Sequence, residues 1–200
     1  MAAIRKAKIC LGDSTLVTGL GILGLFAVEF ARLSGAYPVI GTDFSNERRE
    51  LAKYLGADSV FDPREPDFTE KCKAMGGVNS AIEVTGNPNA LKQVLSCTAK
   101  FGKVILLGCT RTMTEVDFYN DVHRPGIELI GAHSGARPTE ESHSGFFTEM
   151  DDCRVILSYL SAGKLDFKSI ISRTSFPPEC HQASGAYHRD SIGSFVPQRR

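Results

Sequence analysis

Apolar residues along this chain fall into runs of two kinds, separated by glycine-rich or polar breaks. One kind is short and rich in β-branched side chains: residues 14–17, 38–43, 59–61, 79–84, 103–107 and 127–130. Bounded by turn residues, these predict buried strands. The other kind is longer and predicts helices over residues 22–34, 45–56, 68–75, 89–99 and 153–162. The first of these is apolar nearly all round, so it should lie buried between a sheet and its neighbours. In the second, Ser45 is the expected N-cap, Gly56 the stop, and Leu51, Tyr54 and Leu55 the apolar face. Asp151 and Asp152 sit where acids favour a helix start.

Strands and helices alternate along the chain, which predicts an α/β fold with a doubly wound parallel six-stranded sheet. The expected strand order is 3-2-1-4-5-6, with helices on both faces. Residues 14–163 then make one domain. Residues 1–13 read as the end of a helix and a turn, the remnant of an inter-domain connection. Residues 111–126 read as a long connection and 135–149 as a polar loop. Residues 164–200 have no clear periodicity and predict a partly mobile C-terminal segment.

The first strand leads into Gly19-Leu20-Gly21-Ile22-Leu23-Gly24, a Gly-x-Gly-x-x-Gly turn at the start of the apolar helix. Each glycine has a separate use. Gly19 gives the tight turn its backbone freedom. Gly21 lacks the Cβ that would hold a pyrophosphate off the main chain, and Gly24 lets the helix sit close on the sheet. The N–H groups opening that helix would face the phosphates. In a chain with 19 glycines the motif alone is weak. Asp43 strengthens it, at the end of the second strand and 19 residues after Gly24. A dinucleotide fold places an acid about 20 residues on, where it accepts hydrogen bonds from the adenosine ribose.

Ligands in such sheets bind beyond the carboxyl ends of the strands. The expected cofactor-binding residues are therefore Gly19, Leu20, Gly21, Ile22, Leu23 and Gly24; Asp43, Phe44 and Arg48; Val84, Thr85 and Gly86; Gly108, Cys109 and Thr110; and Gly131, Ala132 and His133. A carboxylate at Asp43 favours NAD, because it repels the 2′-phosphate of NADP. Arg48 and Arg49 could hold that phosphate, but they read more simply as a solvated helix face.

Composition narrows the function further. Lys plus Arg equals Asp plus Glu at 23 each, which lacks the basic footprint of a nucleic-acid binder. Glu29 and Arg32 interrupt the longest apolar run, so no membrane span is expected. The six cysteines form no Cys-x-x-Cys pair and predict reduced residues in a cytoplasmic protein. The histidines lack a ligand spacing, so no metal site and no catalytic residue is expected from this chain alone.

Several stretches together resemble the cofactor domain of the zinc-containing medium-chain dehydrogenases: residues 12–24, Leu55-Gly56-Ala57-Asp58, residues 82–86 and residues 101–108. The resemblance covers residues 3–190 and is nearest to the alcohol, polyol and threonine dehydrogenase branch. It implies hydride transfer between NAD and an alcohol, with Ala132 and its neighbours near the nicotinamide, and homodimers paired through the cofactor domain. The edge strand with Ile127, Leu129 and Ile130 fits such pairing. In that family a separate preceding domain holds the catalytic zinc ligands. No such domain is present here, which implies an isolated cofactor domain, inactive by itself. The alternatives are a non-catalytic dinucleotide-binding regulatory module and the cofactor domain of a zinc-free quinone or enoyl reductase.

Overall fold

The computed structural model describes residues 1–171, 173–175 and 195–197. Its six-stranded sheet contains β1 (Thr15–Thr18), β2 (Val39–Thr42), β3 (Ser59–Phe61), β4 (Val78–Glu83), β5 (Thr98–Leu106) and β6 (Glu128–Gly131). All neighbours pair in parallel, in the order β3-β2-β1-β4-β5-β6. The doubly wound sheet read from the strand-helix alternation is therefore the observed one. A second, two-stranded pair joins β7 (Arg173–Ser175) to β8 (Phe195–Pro197).

The helices are α1 (Ala2–Ala7), α2 (Ile22–Leu33), α3 (Asn46–Tyr54), α4 (Phe68–Ala74), α5 (Pro88–Cys97) and α6 (Glu149–Ser161). Side chains alternate along each strand, so a strand buried on both faces feeds two cores. Val17, Val39, Ile82 and Ile105 pack with residues of α1, α2, α3 and α6. Their neighbours Leu16, Ile40, Ala81 and Val104 pack with residues of α4 and α5. Each of the larger side chains is worth about 1.5–3 kcal/mol when fully buried.

Residues 1–13 and 164–171 belong to this body. Ala3, Ile4 and Ala7 are buried, as are Leu165 and Ile170. Phe167 stacks on Phe26 of α2 with ring centroids 4.3 Å apart. Glu29, also on α2, is 3% exposed, and its Oε1 accepts the Asp166 N–H at 2.9 Å. Burial pushes the Glu29 carboxyl above the usual range. Of the partly mobile C-terminal segment expected over 164–200, residues 164–171 are thus packed, while residues 172, 176–194 and 198–200, with Cys180, His181 and His188, lie outside the described residues.

Four local expectations change. The connection at 111–126 contains a π-helical turn, Phe118–His123, capped by Asp117 through the Asn120 N–H. The last helix opens earlier than its acid pair, because the Thr148 side chain accepts the Asp151 N–H and caps it. Strand β5 begins at Thr98, before Phe101 and Gly102, and passes an irregularity against β4 in which Phe101 takes a φ of 63°. Tyr54 faces out at 71% exposure, and Ala52 takes the buried place on α3.

Candidate functional site

The site lies where the strand order reverses, between the carboxyl ends of β1 and β4. Gly19 ends β1 with φ +84° and donates its N–H to the Thr42 carbonyl at 2.8 Å. A Cβ on Gly24 would stand 1.8 Å from the Gly19 carbonyl oxygen, so helix α2 touches the turn backbone directly. A Cβ on Gly21 would meet nothing within 4 Å. Gly21 is also the N-cap of α2, with no side-chain cap, so the opening N–H groups of the helix front open space. Leu20 is fully buried, and only its main chain serves the turn.

Asp43 follows β2 and braces this turn. Its Oδ2 accepts the Leu20 N–H at 2.8 Å and its Oδ1 accepts the Ser45 N–H at 2.8 Å. A carboxylate has about four acceptor positions, so two such bonds leave capacity for ribose hydroxyls. The arginines on α3 are not a solvated face. Arg48 Nη1 lies 3.6 Å from Asp43 Oδ2. Arg49 Nη1 donates to the Asp43 and Phe44 carbonyls at 2.7 and 3.1 Å and lies 3.4 Å from Asp62. Acceptors at the ends of β2 and β3 draw both guanidinium groups inward.

Beyond β4, the buried Glu83 carboxylate closes the next turn. It accepts the Thr85 N–H at 2.7 Å, the Thr85 hydroxyl, and the Gly86 N–H at 3.1 Å. Gly108 at the end of β5 lies against it, where a Cβ would be 2.3 Å from the Gly86 nitrogen. Two strand ends are thus packed backbone to backbone, which only glycine permits. At the end of β6, Ala132 is buried and donates its N–H to the Leu106 carbonyl at 2.9 Å.

Two cavities flank the turn. One of about 320 Å³ is lined by Thr18, Thr42, Asp43, Phe44, Pro63, Arg64, Asn87, Asn89 and Gln93, among others. The second, of about 390 Å³, brings Leu23, Cys109, Ala132 and His133 together with Leu107 and residues of α1. Of the expected residues, Leu20, Gly21, Ile22, Gly24, Arg48, Val84, Gly86, Gly108, Thr110 and Gly131 line neither. Pro63, Arg64, Asn89 and Gln93 were missed by the sequence reading. Their only sequence signal was position, just past a strand end or at the start of a helix.

The zinc-binding dehydrogenase family matches residues 23–149, more than half of the chain. The chain belongs to this family. Over 123 residues it is 43% identical to the L-threonine 3-dehydrogenase of Pyrococcus horikoshii, covering 60% of this chain and 35% of that protein. The solved benzyl alcohol dehydrogenase of Acinetobacter calcoaceticus superposes with a TM-score of 0.84 at 26% identity, covering 100% of this chain and 53% of that one. The 2R,3R-butanediol dehydrogenase of Bacillus subtilis shares the fold, with a TM-score of 0.83 at 22% identity over 100% of this chain and 54% of that one. The chain thus spans about a third of its curated relatives and about half of these solved chains. What it carries is a dinucleotide-binding domain homologous to the cofactor domains of alcohol and threonine dehydrogenases. Among the described residues no group of three His, Cys, Asp or Glu side chains could hold a metal. No described helix is long and apolar enough to cross a membrane.

Proposed function

We propose that this chain is the NAD-binding half of an oxidoreductase that moves a hydride between NAD and an alcohol. In this reading residues 14–163 form the cofactor domain, with residues 1–13 and 164–171 packed against it. The observation that carries it is Asp43. Its carboxylate closes the phosphate turn through Leu20 and sits in the floor of the 320 Å³ cavity, with acceptor capacity left over. The space in front of Gly21 fits a pyrophosphate, because nothing stands within 4 Å of its missing Cβ. Bound NAD would supply the hydride acceptor. The chain's own residues would bind and orient it, with the ribose on Asp43 and the phosphates on the turn. Leu23, Ala132 and His133 would line the nicotinamide side.

Preference for NAD over NADP follows from charge. A 2′-phosphate at this ribose would face the Asp43 carboxylate, while Arg48 is turned onto that carboxylate at 3.6 Å and Arg49 onto Asp62 and two carbonyls. The residues described here do not fit the zinc implied by the family's description, and no step is assigned to that metal. No described residue is assigned to the alcohol or to its proton. We also place the protein in the cytoplasm, as a homodimer through the β6 edge. Calorimetric titration tests the central reading: NAD should bind and NADP should bind more weakly. Equal or tighter NADP binding would overturn the cofactor assignment, and binding of neither would overturn the function.

A further inference from the structure

Beyond Asp43, the 320 Å³ cavity has two walls that carry no assigned role. Phe44, Pro63 and Arg64 form one, on the loops after β2 and β3; Asn89, Ala90 and Gln93 of α5 form the other. Gln93 Nε2 donates to the Pro63 carbonyl at 3.0 Å, which ties the walls together and sets the width of the slot. If the ribose rests on Asp43 and the phosphates on the glycine turn, the nucleotide's base is what remains to fill this slot.

Arg64 is held in an unusual way for an exposed side chain. Its side chain is 67% exposed, yet Nε bonds Asp62 Oδ1 at 2.9 Å and Nη2 bonds Asp62 Oδ2 at 2.6 Å. Its guanidinium carbon lies 5.1 Å from the Phe44 ring centroid. The fork to Asp62 is made through the edge of the guanidinium, in its own plane, and leaves the flat faces for stacking. Arg64 in turn holds the Asp62 carboxyl well below the usual range, so the pair stays charged through neutral pH. A flat, pre-oriented cation beside an exposed aromatic ring suits the face of a nucleobase, where guanidinium planes and aromatic rings both stack.

We propose that Arg64 is the base-stacking residue of this site: backed by the Phe44 ring on one face, its guanidinium presents the other face to the adenine of the dinucleotide and holds it against α5. The proposal rests on the dinucleotide reading above and adds the residue that recognises the base. Asp62 is then a positioning residue, acting through Arg64.

The test compares ADP with UDP, which share the diphosphate and differ in the base, on the wild-type chain, Arg64→Ala and Arg64→Lys. The wild type should bind ADP more tightly, because a purine offers the larger face. Arg64→Ala should weaken ADP binding about tenfold, within the range of losing one stacked base, while UDP binding changes far less. Arg64→Lys keeps the charge but not the plane, and should not restore ADP. Equal losses on both nucleotides, or full rescue by lysine, would mean that Arg64 acts as a point charge on the phosphates and would overturn the proposal. Unchanged ADP binding in Arg64→Ala would overturn it too, with the dinucleotide reading left standing. Failure of the wild type to bind ADP or ADP-ribose would remove both.

Discussion

A methyl group at Gly24 and a valine side chain at Gly21 should fail in opposite ways, although the two positions belong to one turn. At Gly24 the new Cβ would stand 1.8 Å from the Gly19 carbonyl oxygen and 2.9 Å from its carbon. Both are backbone atoms and cannot rotate aside, so α2 or the turn must move by more than an ångström to restore ordinary contact. Helix α2 is fixed by Leu25 and Val28, both fully buried, and the turn is fixed by the Gly19 N–H, which is bonded to the Thr42 carbonyl. Overpacking of this kind costs about 1–3 kcal/mol, and a backbone clash belongs at the upper end. At about 2–4 °C per kcal/mol for a chain of this size, Gly24→Ala should melt roughly 6–12 °C below the wild type. At Gly21 nothing lies within 4 Å, and φ −68° with ψ −172° is backbone that any residue adopts. Gly21→Val loses a favoured N-cap residue, about 1 kcal/mol, and should still fold. Its side chain fills the space in front of the turn, so NAD binding should disappear. Thermal melts followed by spectroscopy, together with calorimetric titration of NAD, read both effects. A Gly24→Ala protein that melts with the wild type would refute the close approach of helix and turn. A folded Gly21→Val protein that binds NAD normally would refute the placement of the phosphates.

Asp43→Gly should narrow the gap between NAD and NADP by roughly 1–3 kcal/mol, the scale of a charge-assisted hydrogen bond. It should also lower the melting temperature, because the Leu20 and Ser45 N–H groups lose their acceptor; a gap unchanged in titrations would move the ribose elsewhere. Glu29, whose carboxyl burial raises, contributes stability that is complete below its ordinary range and is lost as pH rises through the elevated value. Glu29→Gln keeps an acceptor for the Asp166 N–H, so it should stabilise by about 1 kcal/mol at pH 8 and by less at pH 5; melts that show no such pH trend would contradict this. Light scattering should find a dimer at micromolar concentration, and a monomer there would remove the β6 edge as an interface. Purified protein should bind NAD yet make no NADH from simple alcohols or polyols; steady NADH production with stoichiometric zinc would point to Cys109 and His133 as the first residues to mutate.

The parts of this fold that were legible in the sequence are those in which each residue acts through its own backbone or its immediate neighbours. Gly19, Gly24 and Asp43 are constrained by a turn, a close helix and a strand end, all set within 30 residues of chain. Strand 59–61 and the Ser45 cap were legible for the same reason, and the structure has both. Arg48 and Arg49 were misread because their partners are not neighbours on the helix. From sequence, two adjacent arginines among charged residues look like a wet face; in the fold, Asp43 and Asp62 at two strand ends collect them. The Thr148 cap was passed over because the acid pair behind it was the louder signal.

The same distinction separates the two halves of the candidate site. The phosphate half is a property of backbone shape, and shape leaves glycines in the sequence. The proposed base half is made by side chains from the loops after β2 and β3 and from α5, and no spacing rule joins Phe44, Arg64 and Gln93. They meet only because parallel crossovers deliver consecutive strand ends to one edge of the sheet, with α5 beside them. Arg64 is two residues from Asp62, a spacing that alone reads as a local surface pair. What gives the pair a direction is Phe44, brought under the guanidinium by the neighbouring strand. On the proposed binding, a substitution at Arg64 changes how firmly the base is held and leaves the glycine turn and the buried core alone, because that side chain is 67% exposed.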